Sequence, residues 1–370
     1  MSLLDYYKQF EGMSEDEVNT GLREEAAEIR RKALTRVATL DLSQTTWPDL
    51  PHSEIVSAIT FVARRGMQRY PHMRGSQLRT KLAELHGVEP GRVIIGNGSA
   101  ELLSAATRAL IGPGQELITS WPSYPLFPIM TRRAHGRAVP VSGGGVDALL
   151  ATVTPNTRVV ALASPNDPTG ELLPTSELQR LLAGLPEGVG VLLDESLVEF
   201  ADAQPIGSSL DLLRDHSRLL VFRSFSKAWG LAGLRCGYAI GGPGAEDLLA
   251  ELEPDLGVSE ISQAGALEAL RIFPKQLAKR VARVAQERTR LTTALRQRNF
   301  EVSDSQANFL WVAHQHVDGG ELAARLARSG VLVAAGDALG EPRHVRISIH
   351  DEAASTRLLS AIDRALELAD

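Results

Sequence analysis

Five short apolar runs, each ending in small or polar residues, recur along the chain: "RVIIGNGS", "ELITSWPSY", "RVVALASPNDPTG", "VGVLLDES" and "RLLVFRSFSK". From residue 53 onward, helical patterns alternate with them. Parallel neighbours need a crossover between them, so this alternation predicts an α/β fold with a mostly parallel sheet flanked by helices. With 370 residues, 44% of them apolar, the chain can bury a substantial core for one large domain and a smaller one. The opening residues read as a charged helix and its lead-in, with Ser14 and Glu17 at capping-box spacing. After about residue 275 a strongly charged helix, "KQLAKRVARVAQERTRLTTALRQR", precedes "NFLWVA", "VLVAA" and "HVRISI", which alternate with helices as in a small α/β lobe. The expected division is a helical arm over 1–45, a large domain over 46–275 and a small C-terminal domain over 276–370.

Composition narrows the function. The net charge is −6 with both signs interspersed, so no basic field is offered to nucleic acid or to anionic lipid. Cys236 is the one cysteine, and the nine histidines form no ligand-spaced cluster, so neither a disulfide within the chain nor a metal site is expected. The N-terminus lacks a basic region followed by an apolar stretch, and no apolar run reaches membrane-spanning length. The expected compartment is the cytoplasm.

The chemistry-bearing residues share an address. Ser99, Tyr124, Asp167, Asp194 and Lys227 each fall at or just beyond the C-terminal end of an expected strand, the edge where open parallel sheets bind ligands. Singly, any of them can be a turn or capping residue, Ser99 and Tyr124 equally well, and a lone lysine such as Lys227 is usually the solvent-facing end of an element. Together they meet the needs of a phosphorylated pyridine aldehyde: a lysine amine for a Schiff base, a carboxylate for the ring nitrogen, and a basic side chain with hydroxyl and backbone donors for the phosphate. Lys227 is the amine and Asp194 the carboxylate, on a strand too apolar to leave it without a cation. Arg235, Ser224 and Ser226 lie beside the lysine in "RSFSKAWGLAGLRCGY", and "GNGSAELLSAA" presents a glycine turn and Ser99 at a helix N-terminus. The competing dinucleotide fingerprint, begun by Gly96 and Gly98, fails at Glu101, where its third glycine would stand.

These segments resemble the class I/II aminotransferases of the fold-type I pyridoxal-phosphate enzymes, most of all the histidinol-phosphate aminotransferase branch, over roughly residues 40 to 350. The resemblance implies a seven-stranded sheet in the large domain and pyridoxal 5'-phosphate as cofactor. It makes Lys227 the Schiff-base residue and proton shuttle, with Asp194 sustaining the electron sink. "SFSKAWGLAGLRCGY" then puts Ser224, Ser226 and Arg235 near the phosphate, "GNGSAE" adds Gly98, Ser99 and Ala100, and "WPSYPLF" makes Tyr124 the residue stacked on the ring. "RYPHMRG" makes Tyr70 the tyrosine that reaches the cofactor of the neighbouring subunit, which implies a homodimer. "HVRISIHD" makes Arg346 the residue that binds the substrate's anionic group, and Trp47, in "LDLSQTTWPDLP", either lines the substrate pocket or packs in the core. The implied reaction moves an amino group between an amino donor and a 2-oxo acid. Two rivals use the same site: a decarboxylase or carbon–sulfur lyase, as in threonine-phosphate decarboxylase, and a regulator that binds the cofactor without turnover.

Three positions depart from the family's pattern. Asp167 stands where asparagine is usual and Leu197 where tyrosine is usual, which removes two donors toward the ring's phenolic oxygen. The lysine imine is then expected to hold its proton to higher pH, and Arg346 to matter more for holding substrate. Ala334 stands where histidinol-phosphate enzymes commonly carry a second phosphate-binding arginine.

Overall fold

The computed structural model describes residues 39–72, 75–272 and 274–367. The expected helical arm, with Ser14 and Glu17, falls almost wholly outside them. Seven strands make one sheet: β1 Val93–Gly96, β2 Glu116–Trp121, β3 Arg137–Ser142, β4 Thr157–Ala163, β5 Gly190–Asp194, β6 Leu219–Ser224 and β7 Gly237–Gly241, in the order β1-β7-β6-β5-β4-β2-β3. β7 runs antiparallel to both of its neighbours, and the remaining pairs are parallel. The mostly parallel seven-stranded sheet is therefore present.

Both faces of this sheet are covered, which explains why its central strands read as unbroken apolar runs. Along β4, Val160 and Leu162 join the core on one side while Val159 and Ala161 join the core on the other. β5 divides in the same way, with Val191 and Leu193 opposed to Leu192. Helices α1 (Ser53–Gly66), α2 (Ser99–Leu110) and α3 (Glu260–Ile272) belong to this part of the chain. Leu102, Leu103 and Ala106 bury one stripe of α2 against the sheet.

A second sheet follows. Its strands are β8 Phe300–Val302, β9 Phe309–His314, β10 Ala334–Ala335 and β11 His344–Ser348, all antiparallel in the order β10-β11-β9-β8. Helices α4 (Pro274–Arg296), α5 (Gly319–Arg328) and α6 (Glu352–Glu367) accompany it. Among the described residues, no helix is long and apolar enough to cross a membrane.

Register sets where the site forms. Ala163 pairs with Asp194, Asp194 with Phe222, Ser224 with Gly237, and Gly237 with Gly96. The ends of β4, β5, β6 and β1 thus line up along one edge of the sheet, and the loops that leave them meet there.

Candidate active site

Loops from that edge enclose a cavity of about 190 Å³. Ser99, Ala100, Tyr124, Asp167, Asp194, Ser224, Ser226, Lys227 and Arg235 all line it. Gly98, just before Ser99 at φ +92°, comes close to the same arginine, since a Cβ there would stand 2.5 Å from Arg235 Nη2. Gly237 is needed for a similar reason, because a Cβ on it would stand 2.4 Å from the Ser99 backbone nitrogen, where α2 begins. These two glycines let a helix N-terminus and a guanidinium close on one point.

Arg235 has a left-handed backbone at φ 49°, which a residue with a Cβ adopts at a cost. Its contacts inside the chain are long: Nη1 donates to Ala232 O at 3.1 Å and to Ser226 Oγ at 3.4 Å, and Nη2 donates to Asn97 O at 3.5 Å. A strained arginine with weak neutral partners, beside a helix N-terminus and serine hydroxyls, is suited to an anion such as phosphate.

Asp194, also in the lining, is buried, and burial pushes its carboxyl up to about 6. Two donors oppose the shift, the Ser196 N–H at 2.9 Å and the Ser196 hydroxyl at 2.6 Å, both on Oδ1. Ser196 Oγ also lies 3.0 Å from Ser99 Oγ, so a chain of hydroxyls joins the carboxylate to the start of α2. A buried carboxylate with no guanidinium on it is suited to a cationic ring nitrogen.

Lys227 follows the end of β6, and its Nζ donates to Thr45 Oγ1. Burial lowers its pKa, Asp167 and Asp194 raise it, and Arg346 and Arg235 lower it. Tyr124 packs edge-on to Phe127, with ring centroids 5.6 Å apart, and burial among the carboxylates pushes its phenol up to about 12. It stays a neutral flat wall.

The remaining expected residues lie elsewhere. Arg346, on β11, does not line the cavity and is held in an ion pair with Asp167, which does. The charge at Asp167 is therefore shared with a guanidinium. Trp47 is buried outside the cavity lining, with Arg280 and Arg283 over its ring at 4.5 and 4.6 Å. Tyr70 is exposed and touches no part of the cavity in its own chain. Ser196, Thr45 and Thr46 were not singled out from the sequence. Ser196 had a local signal, since a serine two places after an aspartate offers its N–H to the carboxylate in an Asx turn. The threonines had none, because the contact of Thr45 to Lys227 spans 182 positions.

Residues 38–362 match the family model for aminotransferase class I and II. The chain is 35% identical over 331 residues to an aromatic amino acid aminotransferase of Cutibacterium acnes, covering 88% of this chain and 92% of that one. It is 35% identical over 304 residues to histidinol-phosphate aminotransferase 1 of Nitrosococcus oceani, covering 81% of each. Among solved structures it is similar to a histidinol-phosphate aminotransferase from Sinorhizobium meliloti in complex with pyridoxal-5'-phosphate, with a TM-score of 0.81, 26% identity, and coverage of 90% and 93% of the two chains.

Proposed function

The chain belongs to the class I and II aminotransferases and is a transaminase, and from that premise we propose that it moves an amino group between a small amino donor and a 2-oxo acid with pyridoxal 5'-phosphate held in the Lys227 cavity. One observation carries the reading of the site: a lysine, a buried carboxylate and an arginine set against a helix N-terminus line a single cavity at the sheet edge. The residues fit the cofactor. Gly98, Ser99, Ala100, Ser224, Ser226 and Arg235 would hold its phosphate, Asp194 its ring nitrogen, Tyr124 its ring face and Lys227 its aldehyde carbon. When bound, the cofactor supplies an electron sink for the amino-bearing carbon of the substrate.

The chain's own groups do the rest. Asp194 keeps a proton on the ring nitrogen, since two buried partners of opposite charge stabilise each other where neither is stable alone. Lys227 Nζ accepts the proton from the amino-bearing carbon, and its burial favours the neutral amine that this requires. Arg346 would meet the acidic end of a substrate only where its pair with Asp167 opens. The enzyme acts in the cytoplasm as a homodimer in which Tyr70 of each chain completes the other's site, with lobes over 46–275 and 276–370.

Holoenzyme supplied with a 2-oxo acid and, separately, histidinol phosphate, phenylalanine, glutamate or small amino acids should transfer nitrogen from at least one donor without releasing carbon dioxide. Lys227→Ala should abolish that transfer and leave a folded protein, because one side chain carries the covalent link and the proton. Near-native turnover in the variant would remove Lys227 from its role.

A further inference from the structure

Arg346 is engaged at both ends of its guanidinium. Nη1 donates to Asp167 Oδ1 in the ion pair, Nη2 donates to Ser43 O at 3.0 Å, and the buried Nε has no hydrogen-bond partner among the described residues. The Phe309 ring lies beneath it, with its centroid 5.4 Å from Cζ. The two side chains of the pair are 12% and 15% exposed, so solvent screens them little. Opposite Arg346 in register stands Ala334, which adds no second cation, and Leu197 on the cavity wall adds no donor.

A guanidinium grips a carboxylate through two parallel N–H donors. Nε is buried, so an incoming carboxylate must take the Nη atoms, which Asp167 and the Ser43 carbonyl already engage. It would also leave the Asp167 carboxylate facing another anion in a poorly solvated place, which repels it. A phosphate meets the same obstacle. A substrate with a hydroxymethyl group on its amino-bearing carbon leaves the pair intact, and its hydroxyl can donate to Asp167.

We infer that Asp167 is a specificity-determining residue that neutralises Arg346 and turns the site toward amino alcohols and other amino compounds with no anionic group on the amino-bearing carbon. The inference rests on the transaminase reading for its reaction. The 2-oxo acid of the other half-reaction must open the pair, so it binds weakly for the same reason.

Asp167→Asn keeps the acceptor oxygen and removes only the charge. Calorimetry of holoenzyme with 3-phenylpropionate should show binding at least about tenfold tighter in Asp167→Asn than in the native protein, the usual size of a charge-assisted contact. In steady-state transfer, the KM for L-phenylalanine and for the 2-oxo acid should fall by a similar factor, and the KM for L-phenylalaninol should stay or rise. Equal 3-phenylpropionate affinity in the two proteins, or parallel shifts for phenylalanine and phenylalaninol, overturns the inference. Absence of amino transfer from every donor overturns the transaminase reading instead, while the calorimetry still decides the role of Asp167. Should the asparagine variant fail to fold, Asp167→Ser is read by the same calorimetry with the same two outcomes.

Discussion

Asp194 is an acid held where its ionised form is costly, and that cost has a measurable sign. Its carboxyl stands at about 6 against 3.8 for an unperturbed aspartate. Between those values the folded chain binds more protons than the unfolded one, so stability falls as pH rises through that window and stays low above it. In cofactor-free protein, Asp194→Asn should therefore raise stability at pH 8 by about 2–3 kcal/mol, since each tenfold change in proton affinity is worth about 1.36 kcal/mol. The gain should shrink to under about 1 kcal/mol near pH 4, where the native carboxyl is already neutral. Transfer activity of the same variant should fall, because an amide cannot balance a cationic ring nitrogen. Denaturant titrations at the two pH values measure this, and a gain that is the same at both would mean that folding leaves the pKa of Asp194 unchanged. The place of Asp194 in the cavity was legible from its position at the end of an apolar run. The partner of Asp167 was not, because Arg346 lies 179 positions away and no local pattern links them.

Strand ends decide which of these residues meet, and the strands were only partly legible. The five apolar runs correspond to β1, β2, β4, β5 and β6, whereas β3 and β7 gave little signal. β3 contains Pro140, which cannot donate to a ladder, and it is tolerated because β3 is the sheet's edge. β7, "GYAIG", is short and begins and ends in glycine, yet it is the strand whose Gly237 lies between Ser224 and Gly96 and lines them up. Also hidden was the polar cluster behind the site. Arg223 on β6 donates to Glu195 Oε2 through Nε at 2.9 Å and Nη2 at 2.7 Å, and both residues are buried. Glu199 is buried too. It accepts from Trp229 Nε1 at 3.0 Å, its Oε2 has no hydrogen-bond partner among the described residues, and burial pushes its carboxyl up to about 7. One guanidinium pairs with the first acid, and the second acid stays largely neutral near pH 6. Glu195→Gln should then cost about 3–5 kcal/mol by stranding a buried cation, while Glu199→Gln at pH 6 should cost no more than about 1 kcal/mol. Urea midpoints for the two variants should differ accordingly, and equal losses would mean that both acids are ionised.

At the scale of the molecule, among the described residues, the stretch between residues 50 and 70 leaves several large apolar side chains exposed. Phe61 is 58% exposed, Met67 72% and Tyr70 85%, with Leu50 and Val56 also open to solvent. Three of these lie on or just beyond α1, an element that buries Ile55 and leaves Val56 and Phe61 outward. A second copy of the same chain is the simplest cover, since a two-fold contact sets one patch on its own image. It also gives Tyr70 a purpose, because the residue has no contact with the cavity of its own chain. In such a dimer each site combines Lys227 of one chain with Tyr70 of the other. A chain carrying Lys227→Ala and a chain carrying Tyr70→Ala are then each inactive or weakly active alone. After subunit exchange in an equal mixture, half of the dimers are mixed, and one of the two sites in each mixed dimer has both residues. Activity should therefore recover to roughly a quarter of the native value per chain, as statistical pairing of a two-fold dimer requires. The recovery should grow on the timescale of subunit exchange and depend on protein concentration. No recovery despite exchange detected by mass or label would place Tyr70 outside the partner's site, and a monomer active at all concentrations would exclude the shared site altogether.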